Sequence, residues 1–231
     1  MVNKTITSAL LIVLMVLNYS NISAQTPSVF SEGMISYSIT YKDLPEDVKK
    51  DSIYLPTNLY ALIKGTRTRM EMKTLMGPKV AIVDENSKTN YYLSELMGMK
   101  TASELNIKDA ERMFRSFKLR MRIDKVEMIK YDSIKVTRLG YVCHPVYIIY
   151  TIDGKPFYLK GLYTKEIRPT YNLAFNNGFE TFLEGTLLEY EVLESGYVMI
   201  FTATSVEPLP VKDEYMEVGS DYTIIPMMGG R

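Results

Sequence analysis

A period of two recurs along this chain and constrains its fold more than any other feature. In "GMISYSITY" the residues Ile35, Tyr37, Ile39 and Tyr41 alternate with Met34, Ser36, Ser38 and Thr40. Successive side chains of a strand point to opposite faces, so the pattern predicts a strand with one buried face. Alternation returns in "LYALIKGTRTRMEM", with a bend at Gly65, and in "KVAIVD" and "NYYLSEL" on either side of the turn-forming "DENSKTN". Hairpins that follow one another without intervening helices argue against a parallel sheet with crossover helices, and so against the nucleotide-binding α/β folds.

The second half continues the pattern. From Val146 to Ile152 both faces are apolar, which predicts a central strand covered on both sides. Asp153 and Gly154 form a tight turn into "FYLKGLYT", and "GTLLEYEVLESGYVMIFTATSV" reads as a hairpin about Ser195 and Gly196. The tail after Glu207 is loop-like, with one more short strand. In "KLRMRIDKVEMIK", Leu119, Met121 and Ile123 alternate with Lys118, Arg120 and Arg122, and the phase then slips, implying a turn or bulge near Asp124 and Lys125.

Helical spacing is confined to short pieces. "DLPEDVKKDS" is a polar excursion, a short helix or a loop. "NIKDAERMFRSF" places Ile107, Ala110, Phe114 and Phe117 on one face, with Lys108, Glu111, Arg112 and Arg115 opposite, and its apolar stripe is expected to lie on a sheet. "YNLAFNNGFETF" is a second helical candidate. No linker or internal repeat divides the chain, so residues 25–231 read as a single mainly β domain of about ten antiparallel strands with two or three short helices.

The first residues have a different character. Lys4 precedes an apolar run from Ala9 to Leu17, then polar residues and the small Ala24. This order is that of a cleavable export signal over residues 1–24. The run is about half of the roughly 20 apolar residues a bilayer crossing needs, so no transmembrane segment is expected in the mature chain. No cysteine lies near the cleavage point, which excludes a lipoprotein by that start site. Removal takes Lys4 alone among charged residues, and the 27 basic and 27 acidic residues become 26 and 27. A nearly neutral chain offers no electrostatic footprint for nucleic acid.

Chemistry-bearing residues are sparse. The single cysteine and single histidine are neighbours, Cys143 and His144. Adjacent strand residues face opposite ways, so the imidazole is badly placed to deprotonate the thiol. One of each also falls short of the three or four ligands zinc takes. Neither a nucleophile elbow nor a glycine-rich phosphate loop is present, so no catalytic residue, metal or cofactor is expected. Carboxylate pairs such as Asp213 with Glu214, or Glu184 with Glu189, read as solvated surface charge. Pro145 lacks a backbone donor and marks a strand start, a bulge or an edge. The chain has 15 Met and 18 Tyr but no Trp; these adaptable and amphipathic side chains suit either an ordinary core or the lining of a lipid-sized cavity. The basic stripe Lys118, Arg120, Arg122 and Lys125 suits anionic headgroups, and equally a charged strand face that resists edge pairing.

The run "DSIKVTRLGYVCHPVYIIYTIDGKPFYLKGLYTKEIRP", with Gly140, Tyr141 and Cys143 leading into a strand and Tyr163, Thr164, Lys165 and Glu166 closing the next, resembles a landmark of exported Bacteroidetes proteins of the GLPGLI type. "FETFLEGTLLEYEV" and "IFTATSVEPLPV" look similar to the same proteins, although Leu183-Glu184-Gly185-Thr186-Leu187 departs from the name motif. The resemblance implies a LolA-like, lipoprotein-carrier-like shape: a curved antiparallel sheet forming an unclosed half-barrel over an apolar space, with helices as a lid. On that reading the chain is a non-enzymatic protein of the periplasm or envelope that holds a lipid or other hydrophobic molecule. Its candidate lining is Ile35, Tyr37, Ile39, Val146, Ile148 and Tyr150, with Ile107, Phe114 and Phe117 from the lid. The alternative is an envelope module, structural or protein-binding, whose core is filled by its own side chains.

Overall fold

The computed structural model describes residues 29–87, 89–96, 98–106, 112, 115, 116, 118–170, 183–194 and 196–226. Its strands are β1 (Glu32–Lys42), β2 (Asn58–Lys64), β3 (Arg67–Thr74), β4 (Gly77–Asp84), β5 (Thr89–Leu96), β6 (Met99–Asn106), β7 (Ile123–Lys130), β8 (Val136–Arg138), β9 (Tyr141–Ile152), β10 (Lys155–Thr164), β11 (Thr186–Glu194), β12 (Tyr197–Glu207) and β13 (Thr223–Pro226). They form one 13-stranded sheet in the order β13-β6-β5-β4-β3-β2-β1-β12-β11-β10-β9-β7, with β8 also paired to β9. The path ends at β13 and β7, so the sheet does not close. The fold is therefore mainly β, with a short helix α1 (Glu46–Lys50) and 3₁₀ turns at Ser52–Tyr54 and Asp213–Met216.

The hairpins follow from local chemistry. Lys64 pairs with Arg67 across Gly65 and Thr66, and Ile152 with Lys155 across Asp153 and Gly154. In the second turn both residues have positive φ, 47° and 74°, the conformation of a type I′ hairpin whose twist matches the strands. Leu139 and Gly140, at 51° and 85°, turn β8 into β9 in the same way. This accounts for the glycine of the Gly-Tyr-x-Cys segment.

Bulges and a folded-over corner shape the sheet. One extra residue stands on β12 at Thr204, on β11 at Leu188 and on β7 at Asp124, where the registers shift. The last is the slip expected near Asp124 and Lys125. Such insertions bend strands and sharpen their twist. The Arg138 guanidinium at the end of β8 donates to the Ala203 carbonyl of β12 at 3.1 Å. In a flat sheet those strands would stand four steps apart, about 19 Å, so the β8–β9 corner curls over the sheet.

Several expectations are corrected. The sheet has three more strands than the sequence suggested, and β13 pairs with β6 in parallel. The Val146–Ile152 strand is not central: β9 lies second from the edge, fully burying only alternate residues over that stretch. Leu119 and Met121 do not extend β7. An Arg122 amide bond to the Leu119 carbonyl at 3.2 Å closes a turn there, and Arg122 has a φ of 54°. In the first helical candidate Arg112, Arg115 and Ser116 are described, and they are helical and exposed, with helical backbone again at 118–120. Ile107, Phe114 and Phe117, the segment "YNLAFNNGFETF" and the export signal lie outside the described residues.

The largest buried cluster joins Ile35, Tyr37 and Ile39 of β1 to Leu59, Ala61 and Ile63 of β2, Met70 and Met72 of β3, and residues of β9 to β12 including Phe201. Two smaller ones gather around Ile148 and Tyr150 and around Val80 and Leu93.

Candidate functional site

β1 keeps strict alternation through its pairing, so Ile35, Tyr37 and Ile39 fall on one face, and Val146 of β9 joins them in the same cluster. Ile148 and Tyr150 belong to the second cluster, with Ile123, Leu159, Leu193 and Val198. The structure thus brings four of the sequence-predicted lining residues together and sets two apart. Ile107, Phe114 and Phe117 lie outside the described residues.

All six described candidates are 0–4% exposed. A side chain that lines a space wide enough for an acyl chain, open or sealed, retains surface accessible to a water-sized sphere; these retain almost none. They touch protein instead. The Tyr37 ring meets Tyr190 edge-on at 6.0 Å, and Tyr190 stacks on Phe201 at 4.6 Å. The Tyr37 hydroxyl donates to the Leu187 carbonyl at 2.9 Å, beside the bulge at Leu188.

The Cys143–His144 pair occupies a break between two neighbours of β9. Val136 of β8 pairs with Cys143, and Lys130 of β7 with Val146. Pro145 falls between them. Its carbonyl accepts from the Tyr131 amide at 2.9 Å. In an antiparallel strand a residue's N–H and C=O point the same way, so the donor that proline lacks would have faced the gap. Cys143 is fully buried, and burial pushes its thiol up to about 11. The thiol donates to the Tyr141 carbonyl at 3.6 Å. His144 Nδ1 lies 2.9 Å from the Ile134 carbonyl, which places the proton of a neutral ring on that nitrogen and ties down the β7–β8 loop.

A protonated, enclosed thiol is a poor nucleophile. Native protein at pH 8 is therefore expected to react with a disulfide reagent such as DTNB at least about 100-fold more slowly than protein unfolded in guanidinium. Comparable rates would show Cys143 to be open.

The segment Tyr163 to Glu166, selected in the sequence as a landmark, is a structural knot. The Tyr163 hydroxyl donates to Asp132, whose carboxyl is held below its ordinary range chiefly by that bond. Lys165 reaches Asp132 at 3.5 Å and Glu184 at 3.4 Å. The Glu166 carboxylate accepts from the Val142 amide at 3.2 Å, and its carbonyl from the Phe30 amide at 2.8 Å. Five parts of the chain meet here: the end of β10, the start of β9, the β7–β8 loop, the lead into β1 and the lead into β11. Sequence reasoning found the segment and missed Asp132, because a partner 31 residues away leaves no local signal.

Of the acidic candidates, Asp213, Glu214 and Glu184 are ion-paired as well. Asp213 binds Lys64 at 3.1 Å and also Arg67, and the Arg67 bond is the first cause of its lowered pKa. Glu184 is taken by Lys165. Among the described residues, no group of three or more His, Cys, Asp or Glu side chains is placed to hold a metal, and no helix is long and apolar enough to cross a membrane.

No family model matches the chain, and no curated protein is similar to it. Among solved structures, LprF from Mycobacterium bovis is similar at 12% identity over 78% of this chain and 88% of that one, with a TM-score of 0.29. At that score the likeness carries no functional weight, and the GLPGLI-type resemblance rests on its motifs alone.

Proposed function

We propose that the processed chain is an exported, non-enzymatic module of the cell envelope that works through its outer surface, over a core filled by its own side chains. The observation that carries this is the near-zero exposure of Ile35, Tyr37, Ile39, Val146, Ile148 and Tyr150, the residues that would line a ligand space. The enclosed thiol, the engaged imidazole and the paired carboxylates support binding rather than turnover. The export signal over residues 1–24 supports the compartment.

A second reading, a holder of a lipid or acyl chain, draws on the unclosed sheet and on Met70, Met72 and Met199 in the main cluster. Methionines repack readily, and each methylene buried is worth about 0.8 kcal/mol. Such a ligand would have to displace packed side chains to enter.

Native mass spectrometry of chain recovered without detergent from the envelope fraction, with an organic extract of the same sample, separates the two. A clean apo mass that stays apo after incubation with envelope lipids is expected. A stoichiometric apolar passenger would overturn the proposal in favour of the carrier.

A further inference from the structure

The five most exposed large apolar side chains among the described residues are Ile53, Leu75, Met76, Met99 and Leu119, at 62–75%. They are scattered along the sequence from Ile53 to Leu119, yet the topology gathers them at one end of the sheet. β1 exits at that end, where Lys42 pairs with Val198. The segment holding Ile53 links β1 to β2 there. Thr74 pairs with Gly77 and Leu96 with Met99 at the same end, so Leu75, Met76 and Met99 sit in or beside two hairpin turns. Ile123 pairs with Ile152 there too, and Leu119 lies in the helical residues 118–120 just before it.

The turns themselves are unusual. Leu-Met-Gly occurs twice in the sequence, at 75–77 and 96–98, and the pairing of β4 with β5 sets the β3–β4 turn beside the Leu96–Met99 closure of β5 and β6. Polar residues dominate ordinary turns. At the opposite end the turns Gly65-Thr66 and Asp84-Glu85-Asn86-Ser87 follow that rule, and the apolar side chains there, Ile134 and Leu139, are less exposed at 48% and 40%. Nothing in the packing of the sheet calls for Leu and Met in the open turns.

Charge indicates the occupant. Lys73 and Lys79 flank the first tripeptide and are exposed, and Lys100 follows the second, against Glu95. Lys118, Arg120 and Arg122 surround Leu119. Lys100 also pairs with Asp221, and Arg122 with Asp153. The basic stripe noted in the sequence thus stands beside an apolar tip on the same rim. Protein interfaces of ordinary size take a continuous patch of about 800 Å² on each partner, whereas these side chains lie in or beside four different connections between strands. The exposed acidic residues Asp43, Glu46, Asp47 and Asp51 gather beside Ile53, whereas the Leu75–Met76 and Leu119 tips have lysine and arginine neighbours. Such tips match the boundary of a bilayer, where side chains enter the acyl region and cationic heads stay at the phosphates.

We infer that this rim docks the protein onto an anionic lipid bilayer, with Leu75, Met76, Met99 and Leu119 entering the interface. The inference rests on the surface-acting reading above and names its partner.

Flotation of envelope-recovered chain with vesicles of phosphatidylethanolamine and phosphatidylglycerol tests it, against the double variant L75D/M76D, Met99→Asp, and Ile134→Asp at the opposite end as control. Melting curves confirm that each variant is folded. The parent and the control should float, and the rim variants should float at least 10-fold less. A parent that stays at the bottom, rim variants that float equally well, or rim variants that lose only a dimer mass would each overturn the inference. Native mass spectrometry keeps the two proposals apart. A clean apo mass without flotation sinks the docking rim alone, while a stoichiometric lipid passenger sinks the surface-acting reading.

Discussion

Replacing Gly185 with alanine is expected to destabilise the protein by more than about 3 kcal/mol, enough to unfold most domains of ordinary stability when combined with mild denaturant. A Cβ at this position would lie 1.9 Å from the Thr164 carbonyl oxygen, 2.7 Å from its carbon and 3.0 Å from the Lys165 Cα. All three are backbone atoms, so no side chain can swing aside. Relief requires β10 and the start of β11 to part by more than an ångström. That motion would break the Thr164–Thr186 pairing, disturb the Thr186 hydroxyl bond to the Arg168 carbonyl at 2.5 Å, and drag the Tyr163–Glu166 knot out of place. Gly65→Ala is the comparison. Gly65 has open space around it, and its φ of 57° charges alanine only the left-handed backbone penalty, about 1–2 kcal/mol. Denaturant midpoints of the two variants decide the matter. A Gly185→Ala cost no larger than that of Gly65→Ala would mean the close approach does not exist in solution.

Gly185 also shows what can and cannot be read from a chain such as this. The alternation of β1 to β5 and β9 to β12 is legible because one face of each strand is buried, and so are turns where glycine takes positive φ. β6 was missed because "MKTASELN" buries the small Ala102 and offers no alternating large apolar side chains. The position of β9 was misjudged for a related reason. Its outer side chains Tyr147 and Ile149 are apolar, yet they are half-buried beside a sheet edge, with the Tyr147 ring against Tyr131 at 5.7 Å. Composition reports how apolar a face is, not what covers it. The same limit applies to the candidate site. Ile35, Tyr37 and Ile39 were correctly placed on one face, but whether that face meets a ligand space or other side chains depends on contacts with β2, β11 and β12. Those contacts join residues far apart in sequence, such as Tyr37 and Leu187 at 150 positions.

Truncating Tyr37 to alanine is the sharpest test of what that face does, and a loss of about 3–5 kcal/mol is expected. The ring is 1% exposed and packed against Tyr190, so its removal leaves a cavity with partners on every side. Part of the loss belongs to the hydroxyl, whose removal leaves the Leu187 carbonyl without its donor; Tyr37→Phe isolates that share at about 1 kcal/mol. If Tyr37 instead bordered a ligand space, truncation would enlarge an existing void. It would then cost well under 3 kcal/mol and change which lipids co-purify. Equilibrium denaturation of the two variants, with extracts of both analysed for lipid, therefore reads packing and binding on one residue. A large loss with no change in bound lipid is the signature of a self-filled core. A small loss with altered lipid content would return the function to the interior of the sheet.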